Sequence, residues 1–338
     1  MSQNVSNELI YHYNIHDLLE VKSSFDDYIS KCFLSHTDTP APDVILKVAN
    51  SNDLFDSDHY LQIAPGLFYS DEQDSIVSTF KLLNLKFSWK LKGLSARPTE
   101  ISLSPAYEAV SRRLLKVPVS TVFPVYHYIK LVLQLQLLSK DRAFIIGSCF
   151  KPSKSKESLI LSASGSMGKT RTVLDLVEQI GGEFLSDDTL IVDKDKILAY
   201  PTPVRVRKRG WEVLSREKYI SEASLLDTCG TWQKPQTVGG LFFLESGAPV
   251  SGICHISHEQ ALNRLLAINR KTLPYYMERT VLAYAYMNPS FSLNKLMQKE
   301  EDILNCFLKD VDCFTLRCEG DDKRQYTRML HDLIQESS

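Results

Sequence analysis

The chain carries almost no net charge: 39 Lys and Arg against 41 Asp and Glu leave −2 over 338 residues. No global field therefore recruits nucleic acid or an anionic membrane surface, and any basic site must be local. Cysteine is sparse and unpatterned. The seven cysteines are odd in number and form no CxxC pair, so a disulfide framework is not expected and reduced thiols in a cytoplasmic protein are. A long uninterrupted apolar run is also missing. The longest stretch, Val117 to Leu138, contains Pro118, Pro124, Lys130, Gln134 and Gln136, and reads as a buried helix rather than a membrane span. Charged residues break up the opening MSQNVSNELIYHYNIHD, so neither a signal nor a transit peptide is expected. Repeats and low-complexity tracts are absent.

What is present divides into three parts. Residues 1–42 are polar with scattered aromatics and end in SHTDTPAPD, which reads as a peripheral arm. Residues 43–140 read as a smaller, strand-rich α+β domain, with VILKV, then YLQIA and LFYS about Pro65-Gly66. In LKFSWKLK, alternation puts Leu85, Phe87, Trp89 and Leu91 on one face and a lysine row, best read as a solvated outer face, on the other. Helices follow, one opening at Ser104-Pro105 and one over about Thr121 to Leu138.

Residues 141–338 change in texture. AFIIGSCF and SLILSA read as strands joined by the turn KPSKSKE, and Gly168 to Ile180 as a helix stopped by Gly181-Gly182. TLIV and ILAY flank Asp193-Lys194-Asp195-Lys196, a hairpin. GLFFLE is a further strand, and Ser257 with Gln260 forms a capping box opening the next helix. Helical patterns fill most of 270–309, before a last strand DCFTLRC and a helix from about Asp321.

One segment carries chemistry. SASGSMGKT, residues 162–170, follows an apolar strand and opens an amphipathic helix, the context a phosphate-binding loop requires. Small residues let backbone N–H groups curl around phosphates, the helix N-terminus adds its dipole, Lys169 reaches the terminal phosphates and the Thr170 hydroxyl suits Mg²⁺. The loop lacks its usual first glycine, and Ala163 stands there. A methyl group costs about 1 kcal/mol if that position needs positive φ or very close packing, with Gly165 as the alternative permissive point. The acidic pair Asp187-Asp188 follows the apolar EFL, 18 residues after Lys169, where an adjacent strand would deliver it. One carboxylate would serve Mg²⁺ and the other accept the proton of an attacking hydroxyl. In PVRVRKRG, Arg205 and Arg207 share a strand face, and either a solvated surface or contacts to ATP phosphates or an acidic acceptor fit them. Cys254, His255 and His258 lack a second pair at zinc spacing. The tyrosines at 275, 276, 284 and 286 lie on apolar helical stretches and read as core.

The stretch ASGSMGKTRTVLDLVEQIGGEFLSDDTLIV, with the strand pair and AYPTPVRVRK after it, resembles the kinase domain of HPr kinase/phosphorylase. It is more similar to the broader group of HPr-kinase-related proteins, some of which phosphorylate serine on precursor peptides or small molecules. GLFFLE, HISHEQALNRLL and FTLRCEGDDKRQYTRMLHDLI fit that group's ending, so the resemblance spans about 143–336. It implies an α/β fold, a phosphoenolpyruvate-carboxykinase-like P-loop core of mixed sheet with helices, using ATP and Mg²⁺. By that likeness Ser164, Gly165, Ser166, Met167, Gly168, Lys169, Thr170 and Arg171 bind nucleotide. Asp187 is then the base and Asp188, with Thr170, the metal-linked acid, although the two roles can be exchanged. The strand AFIIGSCF has no counterpart of the family's frequent His, and no HPr kinase C-terminal signature is present, so phosphorolysis and an HPr substrate are not expected. The expected activity is transfer of the γ-phosphate to a hydroxyl of a peptide, protein serine or small molecule. No nucleic-acid or membrane partner is expected, and a homo-oligomer is compatible. The alternative is a nucleotide-binding switch or scaffold that transfers nothing.

Overall fold

The computed structural model describes residues 10–25, 29–37, 40–50, 54–82, 85–114, 125–165, 167–201, 204–206, 218–220 and 232–336. The described chain is mixed α/β. Its helices are α1 (Pro105–Leu114), α2 (Val125–Ser139), α3 (Lys169–Ile180), α4 (His258–Thr272), α5 (Arg279–Met287), α6 (Leu293–Phe307) and α7 (Arg324–Glu336). None of them is long and apolar enough to cross a membrane. Contacts divide the chain into two compact units, Met1–Leu137 with Leu273–Leu296, and Leu138–Thr272 with Met297–Ser338.

The first unit holds strands β1 (Tyr11–Ile15), β2 (Leu19–Ser23), β3 (Leu34–Ser35), β4 (Val44–Val48), β5 (Leu61–Ala64), β6 (Leu67–Ser70), β7 (Ser75–Leu82), β8 (Leu85–Lys92) and β9 (Thr99–Leu103). They form one sheet in the order β3-β1-β2-β4-β9-β8-β7-β6-β5. The described part of the expected arm is therefore sheet. Tyr13, Ile15 and Leu19 are fully buried, and the Tyr13 hydroxyl donates to the Phe25 carbonyl at 3.1 Å. Two five-residue strands with polar neighbours carry too short an alternation to stand out in sequence. In β8 the lysine face is only partly solvated: Ser88 is buried and its N–H donates to Ser104 Oγ, while Leu85 is exposed. Residues 273–296 also depart from expectation by joining this unit. Helix α5 packs on β6 and β7, and fully buried Tyr284 donates its hydroxyl to Asp74. Tyr275 is core as expected, whereas Tyr286 is exposed.

The second unit holds β10 (Ala143–Ile145), β11 (Ser148–Pro152), β12 (Ser158–Ser162), β13 (Gly182–Ser186), β14 (Leu190–Asp193), β15 (Lys196–Ala199), β16 (Val204–Val206), β17 (Lys218–Ile220), β18 (Val238–Ala248), β19 (Gly252–His255) and β20 (Cys313–Glu319). The main sheet runs β13-β11-β12-β18-β20-β19, with β12, β18 and β20 parallel and the other pairs antiparallel. AFIIGSCF is not one strand. It breaks at Ile146-Gly147, and β10 leaves for a separate sheet with β14 and β15. Buried Asn269 of α4 fills the break: Ile146 N–H donates to its Oδ1 and its Nδ2 donates to the Phe144 carbonyl, each at 2.9 Å. A side-chain amide thus replaces the ladder partners that those backbone groups lose.

Helices α3 and α7 cover one face of this sheet. Val173 and Leu176 of α3, with Tyr326 and Leu330 of α7, pack on Phe150, Leu161, Phe242 and Leu316. Each such apolar side chain contributes about 1.5–3 kcal/mol on burial, which fixes the start of α3 against the end of β12. The Ser257 capping box forms as expected, with Gln260 N–H donating to Ser257 Oγ and Ser257 N–H to Gln260 Oε1, both at 3.2 Å.

Candidate functional site

The site forms where β12 ends. The chain leaves Ser162 and, past a loop that includes Ala163, Ser164, Gly165, Met167 and Gly168, enters α3 at Lys169. In the sheet β12 lies between antiparallel β11 and parallel β18. Ser162 Oγ donates to the Ile146 carbonyl at 2.7 Å, pinning the strand end. The N-cap of α3 is Gly168 at φ 97°, ψ 9°, a residue with no side chain to satisfy the first-turn N–H groups. Those donors and the helix dipole favour an anion.

Ala163 does not meet the backbone condition under which its methyl would be costly. It is not among the positive-φ residues of the described chain, it is 2 % exposed, and its methyl belongs to the core beside Val173 and Leu161. The left-handed point of the loop is Gly168; Gly165 is outside that region, with open space where a Cβ would lie. Restoring glycine with Ala163→Gly is expected to destabilise the protein by about 1–2 kcal/mol, one buried methyl plus glycine's extra backbone entropy. Any affinity of the loop for nucleotide should change little, since the substitution lies in the core rather than at the helix N-terminus. Chemical denaturation beside a nucleotide titration reads both.

Lys169 is buried, and its Nζ donates to the Ala163 carbonyl at 3.1 Å and lies 3.9 Å from Asp188 Oδ1. Thr170 Oγ1 donates to Asp187 Oδ1 at 2.8 Å. The same oxygen accepts from Ser148 Oγ at 2.6 Å. The structure thus brings Lys169, Thr170, Asp187 and Asp188 together. Ser148, at the start of β11 and fully buried, is a member that no local sequence signal reveals, because it meets Asp187 across 39 residues of chain.

The two aspartates differ sharply. Asp187 is 8 % exposed at the end of β13, while the Asp188 side chain is 53 % exposed on a turn at φ 65°. Asp is one of the few residues that tolerate that conformation, which recurs at functional sites. The turn is held by Thr189 N–H donating to the Asp187 carbonyl at 2.8 Å, and by Ser186 Oγ bonding the carbonyls of Thr189 and Tyr200. Burial pushes the Asp187 pKa above the usual carboxylate value, against the opposing hydroxyls of Ser148 and Thr170. A raised pKa means that the charged form is lost as pH falls, and earlier than for an ordinary carboxylate. Ser148→Ala removes a donor to the charged form. The acidic limb of any function that needs ionised Asp187, such as Mg²⁺-dependent nucleotide binding, is therefore expected to move to higher pH. Titrating that binding across the acidic range checks the direction.

Of the remaining expected residues, Met167 is half-buried, with Ser246 Oγ 3.8 Å from its Sδ. Ser164 and Gly165 line the loop, and Arg171 is paired with Asp175 one turn along α3 at 2.7 Å. Ser166 and Arg207 lie outside the described residues. Arg205 is described only as backbone, paired with Tyr219 between β16 and β17. His258 meets Asn305 Oδ1 at 2.7 Å, and no metal-binding group of three or more His, Cys, Asp or Glu occurs among the described residues. The donors at Thr170 and Asp187, a hydroxyl and a carboxylate, are the hard oxygens that Mg²⁺ takes, usually completed by substrate phosphates and water.

No family model matches the chain, and no curated protein sequence does. Among solved structures, that of the Hpr(Ser) kinase/phosphatase from Coxiella burnetii is similar to 57% of this chain and 98% of its own, at 10% identity and a TM-score of 0.28.

Proposed function

We propose that the protein is an ATP-dependent kinase that phosphorylates a hydroxyl group of a peptide, protein side chain or small molecule. The observation that carries this reading is the meeting of Lys169, Thr170 and both aspartates at an uncapped helix N-terminus. Bound ATP and Mg²⁺ supply the phosphoryl group and offset its charge. Every other part is the chain's own. Backbone N–H groups of the loop and Lys169 hold the phosphates, Lys169 exchanging the Ala163 carbonyl for a phosphate oxygen. Thr170 and Asp187 hold the ion.

The geometry favours Asp188 as the base, the exchanged form of the sequence expectation. Asp187 is buried, and one of its oxygens already takes two hydroxyl hydrogens, so it is poorly placed to reach an incoming acceptor. Asp188 is exposed and near the Lys169 ammonium, where the terminal phosphate would lie. It takes the acceptor's proton as the acceptor oxygen bonds to the γ-phosphorus and the bond from that phosphorus to the β,γ-bridging oxygen breaks, so that ADP leaves.

The test is incubation of the purified protein with γ-labelled ATP, Mg²⁺ and host extract. Label moving to a protein or small molecule, and not doing so with Lys169→Ala, supports the kinase. Saturable ATP binding with no label moved to any acceptor supports the switch.

A further inference from the structure

We propose that the groove between β19 and α7 docks an extended segment of a partner protein, in which an apolar residue is flanked by lysine or arginine and the backbone pairs with the outer edge of β19. The inference is independent of the nucleotide reading of the loop.

Strand β19 ends the main sheet, with β20 as its neighbour. Ile256 N–H donates to the Cys313 carbonyl at 2.9 Å, and in the same phase Cys254 pairs with Thr315 and Gly252 with Arg317. The intervening Ile253 and His255 therefore turn their N–H and C=O groups away from β20. Among the described residues no hydrogen bond takes those groups up. An edge of this kind is a template for a further strand.

Beside the edge lies a groove of about 340 Å³, lined by Ser251, Gly252 and Ile253 and by Met329, Leu333 and Glu336 of α7, with Asp332 among them. Ile253, Met329 and Leu333 are half-buried and rest on the core of the second unit, so the floor is apolar and firm. Ser251 ties its two sides together: its Oγ accepts from Glu319 N–H at 2.9 Å and donates to Gln325 of α7. Side chains of a strand alternate between faces, so a chain paired with β19 sends every second residue to the α7 side, over this floor.

Charge selects the occupant. Asp332 and Glu336 are exposed at the rim. The basic neighbour Arg328, one turn earlier, lies 4.0 Å from Asp322. A segment with an apolar anchor and flanking cations satisfies both floor and rim. A second copy of this chain, paired edge to edge about a two-fold axis, would set two acidic rims together and is disfavoured. Ser251, Gly252 and Ile253 lie toward the edge of the sheet where β12 gives way to the phosphate loop, because Cys254 pairs with Thr315, Thr315 with Phe243 and Phe243 with Ser162.

The test titrates the full-length protein into a fluorescein-labelled peptide, Lys-Val-Lys-Leu-Lys-Val-Lys, and reads polarisation. Saturable binding is expected, about ten-fold weaker or more when glutamate replaces every lysine of the peptide and about five-fold weaker when serine replaces its leucine. The protein carrying Asp332→Lys and Glu336→Lys together should prefer the glutamate peptide. His255→Pro withdraws one outward N–H at an edge position that tolerates proline, and should weaken the parent peptide about ten-fold. No saturable binding to the parent protein overturns the inference. So does a loss with the charge variant that neither His255→Pro nor the leucine replacement shares, which would mark unspecific attraction. Self-association in sedimentation that His255→Pro abolishes, without peptide binding, also overturns it and makes a second copy the occupant.

Discussion

Asp188→Asn is expected to bind ATP as the parent does and to transfer its phosphate about 10³-fold more slowly, the usual contribution of a positioned general base. The substitution is nearly isosteric, and Asn tolerates the left-handed backbone that residue 188 adopts at φ 65°. Its effect on folding should be small, so the loss reads on chemistry. Asp187→Asn behaves differently. The amide cannot serve as an anionic ligand, and Ser148 and Thr170, which both donate to Oδ1, would have to repair their hydrogen bonds. Weakened Mg²⁺-dependent binding of ATP is the expected result, with transfer falling as a consequence. Nucleotide titrations with and without Mg²⁺, beside single-turnover transfer of label, separate the two. Asp187→Asn with full Mg²⁺-dependent binding and no transfer, set against an active Asp188→Asn, would reverse the roles.

The second large effect concerns the strand that carries this pair. Gly182→Ala is expected to cost about 2–4 kcal/mol of folding stability. Gly182 opens β13 at φ 126°, and a Cβ there would lie 2.3 Å from the Lys151 carbonyl oxygen and 3.1 Å from Pro152 Cα. Both obstacles are backbone of the paired strand β11, so neither can swing aside. Gly165→Ala is the matched control, because its added methyl meets nothing within 4 Å and its φ is ordinary. Urea midpoints should separate the two clearly. Equal midpoints would show that β13 can shift, and the placement of Asp187 by a rigid strand would fall with it.

Local signals in the chain were short-ranged, and the structure follows them where short range suffices. Ser257 and Gln260 cap α4 as their spacing requires, Gly181 ends α3, and TLIV and ILAY pair around Asp193 to Lys196. The strand–loop–helix at 158–180 and the acidic pair at the end of β13 were legible for the same reason: periodicity, small residues and a strand end all lie within about thirty residues. The doubt over Ala163 was legible too. Its answer was not, because whether a methyl fits depends on Val173, Leu161 and the rest of the core around it.

What sequence alone determined was the set of candidate groups: a lysine and a threonine opening a helix after a small-residue loop, with two carboxylates a strand away. Tertiary structure decided which groups complete the site. Ser148 meets Asp187 through the pairing of β11 with β13, and Asn269 breaks AFIIGSCF by capturing its backbone. It also gave two adjacent aspartates different surroundings, burying one under two hydroxyls and exposing the other at a left-handed turn. Residues adjacent in sequence share composition and spacing, but burial and hydrogen-bond partners come from distant segments, and those are what make the two carboxylates differ.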